Sequence, residues 1–258
     1  MTILYIGDIM GRPGIDVVGK VLPRLKQEHQ IDFVIAQGEN VTDGKGMSVV
    51  DMQELQGYGI DCFTGGNWSL FRDGVLTDEH PVIRPANYPD GTPGVGYKRI
   101  NHATGSVVIV SLLGKIVGKD AEKPVKNPLQ TIDEVLKAQE KADVTVVNFH
   151  GDYSSEKRVI GYYLDGRVSA VVGDHWHVPT ADAMILPNGT AHITDVGMCG
   201  SLHSSLGVKT NIIVDRWKTG RVSKNVLETT GAMQFNALLV DISDGLARDI
   251  SHIQQIID

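Results

Sequence analysis

The chain has 258 residues, 41% hydrophobic and 21% charged, as expected for a soluble globular protein. Its formal net charge of −7 argues against a broad basic surface that binds nucleic acid. The two cysteines form no C-x-x-C pair, no apolar run approaches the ~20 residues that span a bilayer, and the N-terminus enters an apolar run directly. We therefore expect a cytoplasmic protein that makes no membrane contact.

Short apolar runs in the first quarter of the chain predict buried strands that alternate with helices. The strands are expected at residues 3–6, 31–36 and 60–63, and helical stripes lie between them at residues 17–25 and 48–58. The repeated order of strand, loop and helix favours parallel strands that are joined by right-handed crossovers.

The rest of the chain continues with strands and helices, without a repeat, a linker or a low-complexity tract. Residues 81–97 are rich in Pro, Gly and Asn and predict a long ordered loop. Helices are expected from about residue 131 to 142 and from Ser154, the latter with a buried stripe of Val159, Ile160, Tyr163 and Leu164. Further strands are expected at residues 106–113, 144–147, 169–172, 184–186, 191–193, 211–214 and 238–242.

Polar residues of metal-binding type follow several of these strands. Parallel strands bring such residues to one edge of a sheet, where open α/β folds bind ligands. His175 and His177 are two residues apart, so in an extended segment both imidazoles would point the same way. Taken singly, each residue has an ordinary explanation, such as a helix cap or a turn. The candidates are Asp8, Glu39 with Asn40, Asn67, His150, and His175 with His177.

The donor types in this set indicate the class of metal. Carboxylates, amides and imidazoles together favour Mn, Fe or Zn, and the absence of cysteine excludes a thiolate site. Glu39 has two carboxylate oxygens and could bridge two ions. A dinucleotide-binding fold is disfavoured because no G-x-G-x-x-G follows the first strand.

The same segments form a set of motifs that resembles a known family. They resemble the calcineurin-like dinuclear metallophosphoesterases and, more narrowly, the bacterial YmdB-like branch, whose members hydrolyse cyclic-nucleotide phosphodiesters. The similarity covers nearly the whole chain. The motifs are Gly7-Asp8-Ile9-Met10-Gly11, Gly38-Glu39-Asn40, Gly66-Asn67, Arg84-Pro85-Ala86-Asn87-Tyr88-Pro89, Asn148-Phe149-His150, Ser155-Glu156-Lys157 and Thr194-Asp195-Val196-Gly197-Met198.

The resemblance implies an α/β fold of four layers, with two central mixed sheets flanked by helices. Residues 1–258 would form a single metallophosphoesterase domain. The implied ligands of one ion are Asp8, Glu39 and His177, with Asn40 nearby, and those of the second are Glu39, Asn67, His150 and His175. The family has a general-acid histidine after Gly-Asn, where this chain has Trp68. It has small hydroxyl residues around the H-x-H, where this chain has Asp174 and Trp176.

We therefore expect a dinuclear phosphodiesterase for small cyclic nucleotides, either 2′,3′-cyclic or 3′,5′-cyclic. A metal-bound hydroxide would attack phosphorus in line, with Glu39, Asn40 and Trp68 at catalytic positions. Mn or Fe is favoured, and Mg or Zn stays open. A positioned general acid contributes roughly 10²–10⁴-fold, so its loss predicts a slow enzyme. A metal-binding regulatory protein of the same fold, with little or no catalysis, is the alternative. A homo-oligomer, dimer or tetramer, is also expected.

Overall fold

The computed structural model describes residues 1–118 and 125–258. Within these residues the chain forms thirteen strands and five helices. The helices are α1 (Gly11–Glu28), α2 (Val49–Gly57), α3 (Pro128–Ala138), α4 (Ser154–Tyr163) and α5 (Thr210–Thr219). The strands are β1 (Thr2–Ile6), β2 (Asp8–Ile9), β3 (Phe33–Gln37), β4 (Cys62–Thr64), β5 (Tyr97–His102), β6 (Gly105–Leu113), β7 (Val144–His150), β8 (Ala170–Asp174), β9 (Met184–Ile185), β10 (Ala191–Ile193), β11 (Met198–Ser201), β12 (Met233–Ser243) and β13 (Leu246–Ile257).

The strands form two mixed sheets. The seven-stranded sheet has the order β2-β11-β12-β1-β3-β4, with β13 also paired to β12. Its strands β1, β3 and β4 are parallel, as predicted, and β12 runs antiparallel to β1. The six-stranded sheet has the order β5-β6-β7-β8-β10-β9, in which β6, β7, β8 and β10 are parallel.

Each sheet packs against other elements on both of its faces. Alternate side chains of a strand point to opposite faces. On β1, Leu4 and Ile6 pack with residues of α1 and α2, whereas Ile3 and Tyr5 pack against residues of β6, β7 and β8 in the other sheet. The outer face of the six-stranded sheet packs against α3 and α4. The order of layers is helix, sheet, sheet, helix, so the predicted four-layer α/β fold is confirmed.

The predicted buried stripe of α4 is partly wrong. Ile160 and Leu164 are buried as expected, but Val159 is 55% exposed and Tyr163 is 38% exposed. Lys157 takes the buried position one turn before Ile160, because its ammonium finds polar partners inside the protein. An apolar pattern could not indicate a buried lysine.

Two other predicted elements differ from the structure. The sequence predicts a strand at residues 211–214, but they lie in α5, which ends at Gly220 with a left-handed φ of +70°. No residue of α5 is buried, so the β-branched run there gains nothing from a sheet, and local helical hydrogen bonds dominate. Helix α3 begins before residue 131, at Pro128, because the Asn127 side chain accepts the first free backbone N–H groups.

No helix within residues 1–118 or 125–258 is long and apolar enough to cross a membrane. The packing instead places the carboxyl ends of strands from both sheets beside one another. These strand ends carry the polar residues that the sequence singled out.

Candidate metal centre

Loops from both sheets supply the candidate site. The seven-stranded sheet contributes Asp8, which begins β2, and three residues that follow β3 or β4: Glu39, Asn40 and Asn67. The six-stranded sheet contributes His150, which ends β7, and His175 and His177, which follow β8. The site therefore lies where the two sheets meet, and neither sheet could form it alone.

Glu39 and His150 form the middle of the cluster. The Nε2 atom of His150 lies 3.1 Å from Glu39 Oε1 and 3.0 Å from Asn67 Oδ1. One ligand atom each from Glu39, His150 and His175 lies within 4.8 Å of the other two, so these three residues could hold a metal ion. The resemblance implies that these three residues, with Asn67, bind one ion.

Asp8 and His177 approach each other beside this group. His177 Nε2 lies 3.8 Å from Asp8 Oδ1, and the His175 backbone N–H donates a 3.2 Å hydrogen bond to Asp8 Oδ2. The predicted residues thus separate into an Asp8–His177 side and a His150–His175 side, with Glu39 next to His150. The division of these residues between two ions stays a prediction.

Two buried oxygens in the cluster have no hydrogen-bond partner among the described residues. They are Asp8 Oδ1 and Asn40 Oδ1. A buried oxygen without a partner loses the free energy of its hydration, so native proteins rarely leave one in this state. The Asn40 amide nitrogen donates to Gly44 O at 3.0 Å. This contact identifies the other amide atom, Oδ1, as the acceptor that has no partner. A cation fits both oxygens.

Gly66 is required for this close approach. A Cβ atom at position 66 would lie 2.3 Å from Glu39 Oε2 and 2.4 Å from His150 Cδ2. Real Cβ atoms do not come this close to other atoms, so any side chain would displace Glu39 or His150. The Gly-Asn motif therefore serves the packing of the cluster as well as placing Asn67.

The charges in the cluster suit cation binding near neutral pH. Burial lowers the pKa of His175 and of His177 to about 4, so both imidazoles are neutral and have a free lone pair. Burial alone would raise the pKa of Glu39, but the charge of His150 and hydrogen bonds from His150 and the Trp68 backbone N–H hold it below its usual value. Burial alone would lower the pKa of His150, whereas Glu39 and Asp174 raise it well above the usual value. A bound cation would displace that proton.

Asp174 lies behind His150 and orients it. Its carboxylate accepts hydrogen bonds from His150 Nδ1 at 2.7 Å, Asn148 Nδ2 at 2.6 Å, Gln37 Nε2 at 2.9 Å and the Tyr5 hydroxyl at 2.8 Å. Burial opposes ionisation, but His150 and these donors lower the pKa of Asp174. The side chain is fully buried and acts as a hydrogen-bond acceptor. Asp174 therefore does not replace the general-acid histidine that the family has at position 68.

The H-x-H segment is not extended, which corrects the reason for expecting its two histidines together. His175 and His177 have left-handed φ values of +100° and +63°, and the chain bends after β8. Such conformations cost free energy in residues with a Cβ and persist only where neighbouring structure holds them. Lys157 supplies part of that support, since its ammonium donates to Asp174 O at 2.7 Å and to Asp195 Oδ2 at 2.8 Å.

Comparisons with known proteins agree with the motifs. A family model described as YmdB-like protein matches residues 4–253. The chain belongs to the YmdB-like family. A 2′,3′-cyclic-nucleotide 2′-phosphodiesterase from Bacillus subtilis is 38% identical over 249 residues, which cover 95% of this chain and 92% of that protein.

Solved structures of related proteins share the fold. A crystal structure of a hypothetical protein from Thermus thermophilus superposes with a TM-score of 0.92 at 38% identity and covers 99% of both chains. A crystal structure of a phosphatase from Mycoplasma pneumoniae has a TM-score of 0.92 at 27% identity and covers 99% of this chain and 93% of that one. The predicted family, the fold and the enzyme class of metallophosphoesterase are confirmed. The fold implies divalent metal ions, and a suitable group of residues is present.

Trp68 lies beside the cluster and contacts it through its backbone. Its backbone N–H donates a 2.9 Å hydrogen bond to Glu39 Oε2, and its ring packs edge-on against Phe71. The Lys45 ammonium lies 4.1 Å from the centre of the indole. An indole N–H donates a hydrogen bond but does not transfer a proton near neutral pH, so the position lacks an acid side chain.

Several residues that shape the site were missed as such by reasoning from the sequence. Gln37 and Asn148 are the last or nearly the last residues of buried strands, and they hold Asp174. Asp152 Oδ1 lies 3.1 Å from His175 Nε2. Lys45 lies between Gly44 and Gly46, and nothing in the sequence marks it as a residue of the site. Polar residues within buried strands were the available clue to Gln37 and Asn148, since such groups need partners.

Proposed function

We propose that the protein is a phosphodiesterase that uses two metal ions to hydrolyse a small cyclic nucleotide. The observation that carries this proposal is the cluster of Glu39, His150 and His175 with the nearby Asp8–His177 pair, where a cation would satisfy two buried oxygens that have no partner among the described residues. The Bacillus subtilis relative favours a 2′,3′-cyclic substrate over a 3′,5′-cyclic one.

The ligands of the two ions follow from the two sides of the cluster. One ion would be held by Asp8, Glu39 and His177 with Asn40, and the second by Glu39, Asn67, His150 and His175. Nitrogen and oxygen donors in this mixture favour Mn or Fe, with Mg or Zn as alternatives. When bound, two such ions would activate a water molecule and offset the negative charge that develops on the phosphoryl oxygens.

Several side chains of this protein hold the proposed metal ligands in place and set their charge. Glu39 would contribute its carboxylate to both ions, and the absence of a side chain at Gly66 leaves room for that carboxylate. Asp174 fixes the ring of His150 through a 2.7 Å hydrogen bond, so that Nε2 faces Glu39 and Asn67. His175 and His177 are neutral at the pH of the cell because burial lowers each pKa to about 4.

Departure of the leaving oxygen is the step for which no acid side chain stands at the expected place. Trp68 occupies the general-acid position of the resemblance, and Asp174 stays ionised behind His150. A positioned general acid contributes roughly 10²–10⁴-fold, mostly for poor leaving groups. We therefore expect slow turnover of ribose esters and a smaller deficit for aryl phosphodiesters, whose phenolates leave more readily.

Metal analysis combined with a substrate panel tests the proposal. Purified protein should contain two transition-metal ions per chain, and a Mn-loaded sample should hydrolyse 2′,3′-cyclic AMP and an aryl phosphodiester. Glu39→Gln should lose at least one ion and reduce both activities by about 10²-fold or more, because the shared carboxylate is removed. Glu28→Gln, at an exposed position near the end of α1, is the matched control and should change neither measurement.

Two results would contradict the proposed function, each in a different way. A preparation with no bound metal and no activity on added Mn would overturn the metal assignment. Two bound ions without hydrolysis of any phosphodiester would favour the regulatory alternative. The homo-oligomer stays a prediction, which sedimentation velocity of the purified protein would test.

A further inference from the structure

The loop that follows Glu39 and Asn40 places a lysine next to the cluster. Residues 40–46 turn back on themselves, so that the Gly46 N–H donates to Glu39 O at 2.5 Å and the Thr42 N–H donates to Gly46 O at 2.9 Å. Lys45 therefore lies one residue before a backbone contact with Glu39. The short loop cannot move far without breaking these hydrogen bonds.

The segment that follows Asn67 also holds the loop of residues 40–46 in place. The Arg72 guanidinium donates to Lys45 O at 2.9 Å, to Thr42 O at 3.2 Å and to Asp43 Oδ2 at 3.0 Å. Arg72 follows Trp68 by four residues, so it ties the loop of Lys45 to the loop of Trp68. The backbone on both sides of the lysine–tryptophan contact is thus fixed.

The side chain of Lys45 lies over aromatic rings rather than beside a carboxylate. Its ammonium is 4.1 Å from the centre of the Trp68 ring and 5.6 Å from that of Phe71. Among the residues that the structure describes, no carboxylate forms an ion pair with it, since the nearby Asp43 is paired with Arg72. Phe71 is 54% exposed, and Lys45 and Trp68 are partly buried.

This arrangement leaves a positive charge available beside the metal cluster. Trp68 donates its backbone N–H to Glu39 and directly follows Asn67, so the ring beneath Lys45 belongs to the edge of the site. An ammonium over an indole face keeps its charge and its N–H donors free on the outer side.

We propose that Lys45 is a substrate-binding residue that contacts the phosphate group of the phosphodiester, with Trp68 as the platform that holds it. This inference rests on the proposed function. In the hydrolysis, a water oxygen bonds to phosphorus, the ester P–O bond breaks, and the leaving ribose oxygen takes a proton from solvent. Lys45 keeps its own proton throughout and donates hydrogen bonds to phosphate oxygens, where they offset negative charge.

Phosphate binding provides a test that does not depend on turnover. Lys45→Met should weaken the binding of inorganic phosphate to the Mn-loaded protein by at least about tenfold in calorimetry, because one charge-assisted contact is lost. Lys45→Arg should retain most of the affinity. Lys20→Met, the same change at an exposed position of α1, should bind like the wild type. Metal content should be equal in all four proteins.

Steady-state kinetics with 2′,3′-cyclic AMP gives the second measurement. Lys45→Met should lower kcat/KM by at least about tenfold, and Lys45→Arg should restore it in large part. Unchanged phosphate affinity in Lys45→Met would overturn the proposal, and so would a loss of metal, which would show a structural role. If the wild type hydrolyses no cyclic nucleotide, the proposed function fails, while the phosphate measurement still decides the role of Lys45.

Discussion

Two lysines lie over tryptophan rings near the candidate metal centre, and they are held in different ways. Lys157 is fully buried, with its ammonium 4.0 Å from the Trp176 ring, 2.8 Å from Asp195 Oδ2 and 2.7 Å from Asp174 O. Lys45 has nearly the same distance to its ring, 4.1 Å, but is only partly buried and is not paired with a carboxylate of the described chain.

The difference between these two pairs indicates different tasks. A buried charge is costly unless it is paired and hydrogen-bonded, and Lys157 satisfies that requirement entirely within the protein. Asp195, its partner, also accepts the backbone N–H groups of Trp176 and Gly197. Lys157 and Asp195 therefore fix the bend that carries His175 and His177. The charge of Lys45 is not consumed in this way and is free to meet a ligand.

The largest expected effect comes from breaking the buried pair. Lys157→Met removes the ammonium that donates to Asp195 and to the Asp174 carbonyl and leaves the buried Asp195 carboxylate without a counter-charge, which should lower the free energy of unfolding by about 3–5 kcal/mol. Lys45→Met should lower it by less than about 1 kcal/mol, because the lost contact is partly exposed. Urea denaturation of both variants beside the wild type measures the contrast.

A double variant separates the pair from its surroundings. Lys157→Met combined with Asp195→Asn removes both charges, so it should be less destabilised than the sum of the two single variants. Equal stabilities of Lys157→Met and Lys45→Met would contradict the distinction between the fully buried and the partly buried lysine.

Much of the fold and of the candidate site could be predicted, because both depend on short local patterns. Apolar runs that end in a polar residue located β1, β3, β4, β7 and β8, and parallel pairing brings their carboxyl ends together. That step places Asp8, Glu39, Asn67 and His150 near one another without any knowledge of the side-chain geometry.

The remaining features depend on tertiary contacts that a linear pattern does not contain. The left-handed φ values of His175 and His177 require the support of Lys157 and Asp195, which lie 18 residues before His175 and 18 residues after His177. Burial of Lys157 and exposure of Val159 changed part of the apolar stripe expected for α4, whereas Ile160 is buried as predicted. The contact of Lys45 with Trp68 joins two loops, so neither segment indicates it alone.

The next largest effect is expected on catalysis, when Trp68 of the Lys45–Trp68 pair is replaced. Trp68→His places an imidazole next to Asn67, where it can protonate a leaving oxygen, and should raise kcat for 2′,3′-cyclic AMP by about tenfold or more. An aryl phosphodiester should gain less, since its phenolate needs little protonation. Steady-state kinetics of both substrates at equal metal content measures the ratio.

The gain should depend on pH, because an imidazole donates a proton only while it is protonated, and the charge of Lys45 shifts this titration. A positive charge near position 68 disfavours the imidazolium and lowers the pKa of the new histidine. The protonated fraction, and with it the gain over the wild type, should therefore increase from about pH 8 to about pH 6. Equal rates of Trp68→His and wild type on both substrates, with full metal content, would show that another group is the acid.

The smallest expected effect is the difference between substitutions at Trp68 and at Trp176. Trp176 donates its indole N–H to Asp152 O at 3.1 Å, and Asp152 Oδ1 lies 3.1 Å from His175 Nε2. Phenylalanine at either tryptophan position keeps a ring for the lysine but removes the indole N–H. Trp176→Phe leaves the Asp152 carbonyl without that donor, so it should cost about 1 kcal/mol of stability.

Trp68→Phe should cost less, because no hydrogen bond of the Trp68 indole is found within residues 1–118 and 125–258, where only its backbone N–H donates. The metal affinities should separate the two variants further. Trp176→Phe loosens Asp152 and with it His175, so a chelator titration should show weaker metal binding, whereas Trp68→Phe leaves the backbone contact with Glu39 in place and should retain it. If both variants hold metal equally, Trp176 does not position His175, and the support of the H-x-H bend must come from Lys157 and Asp195 alone.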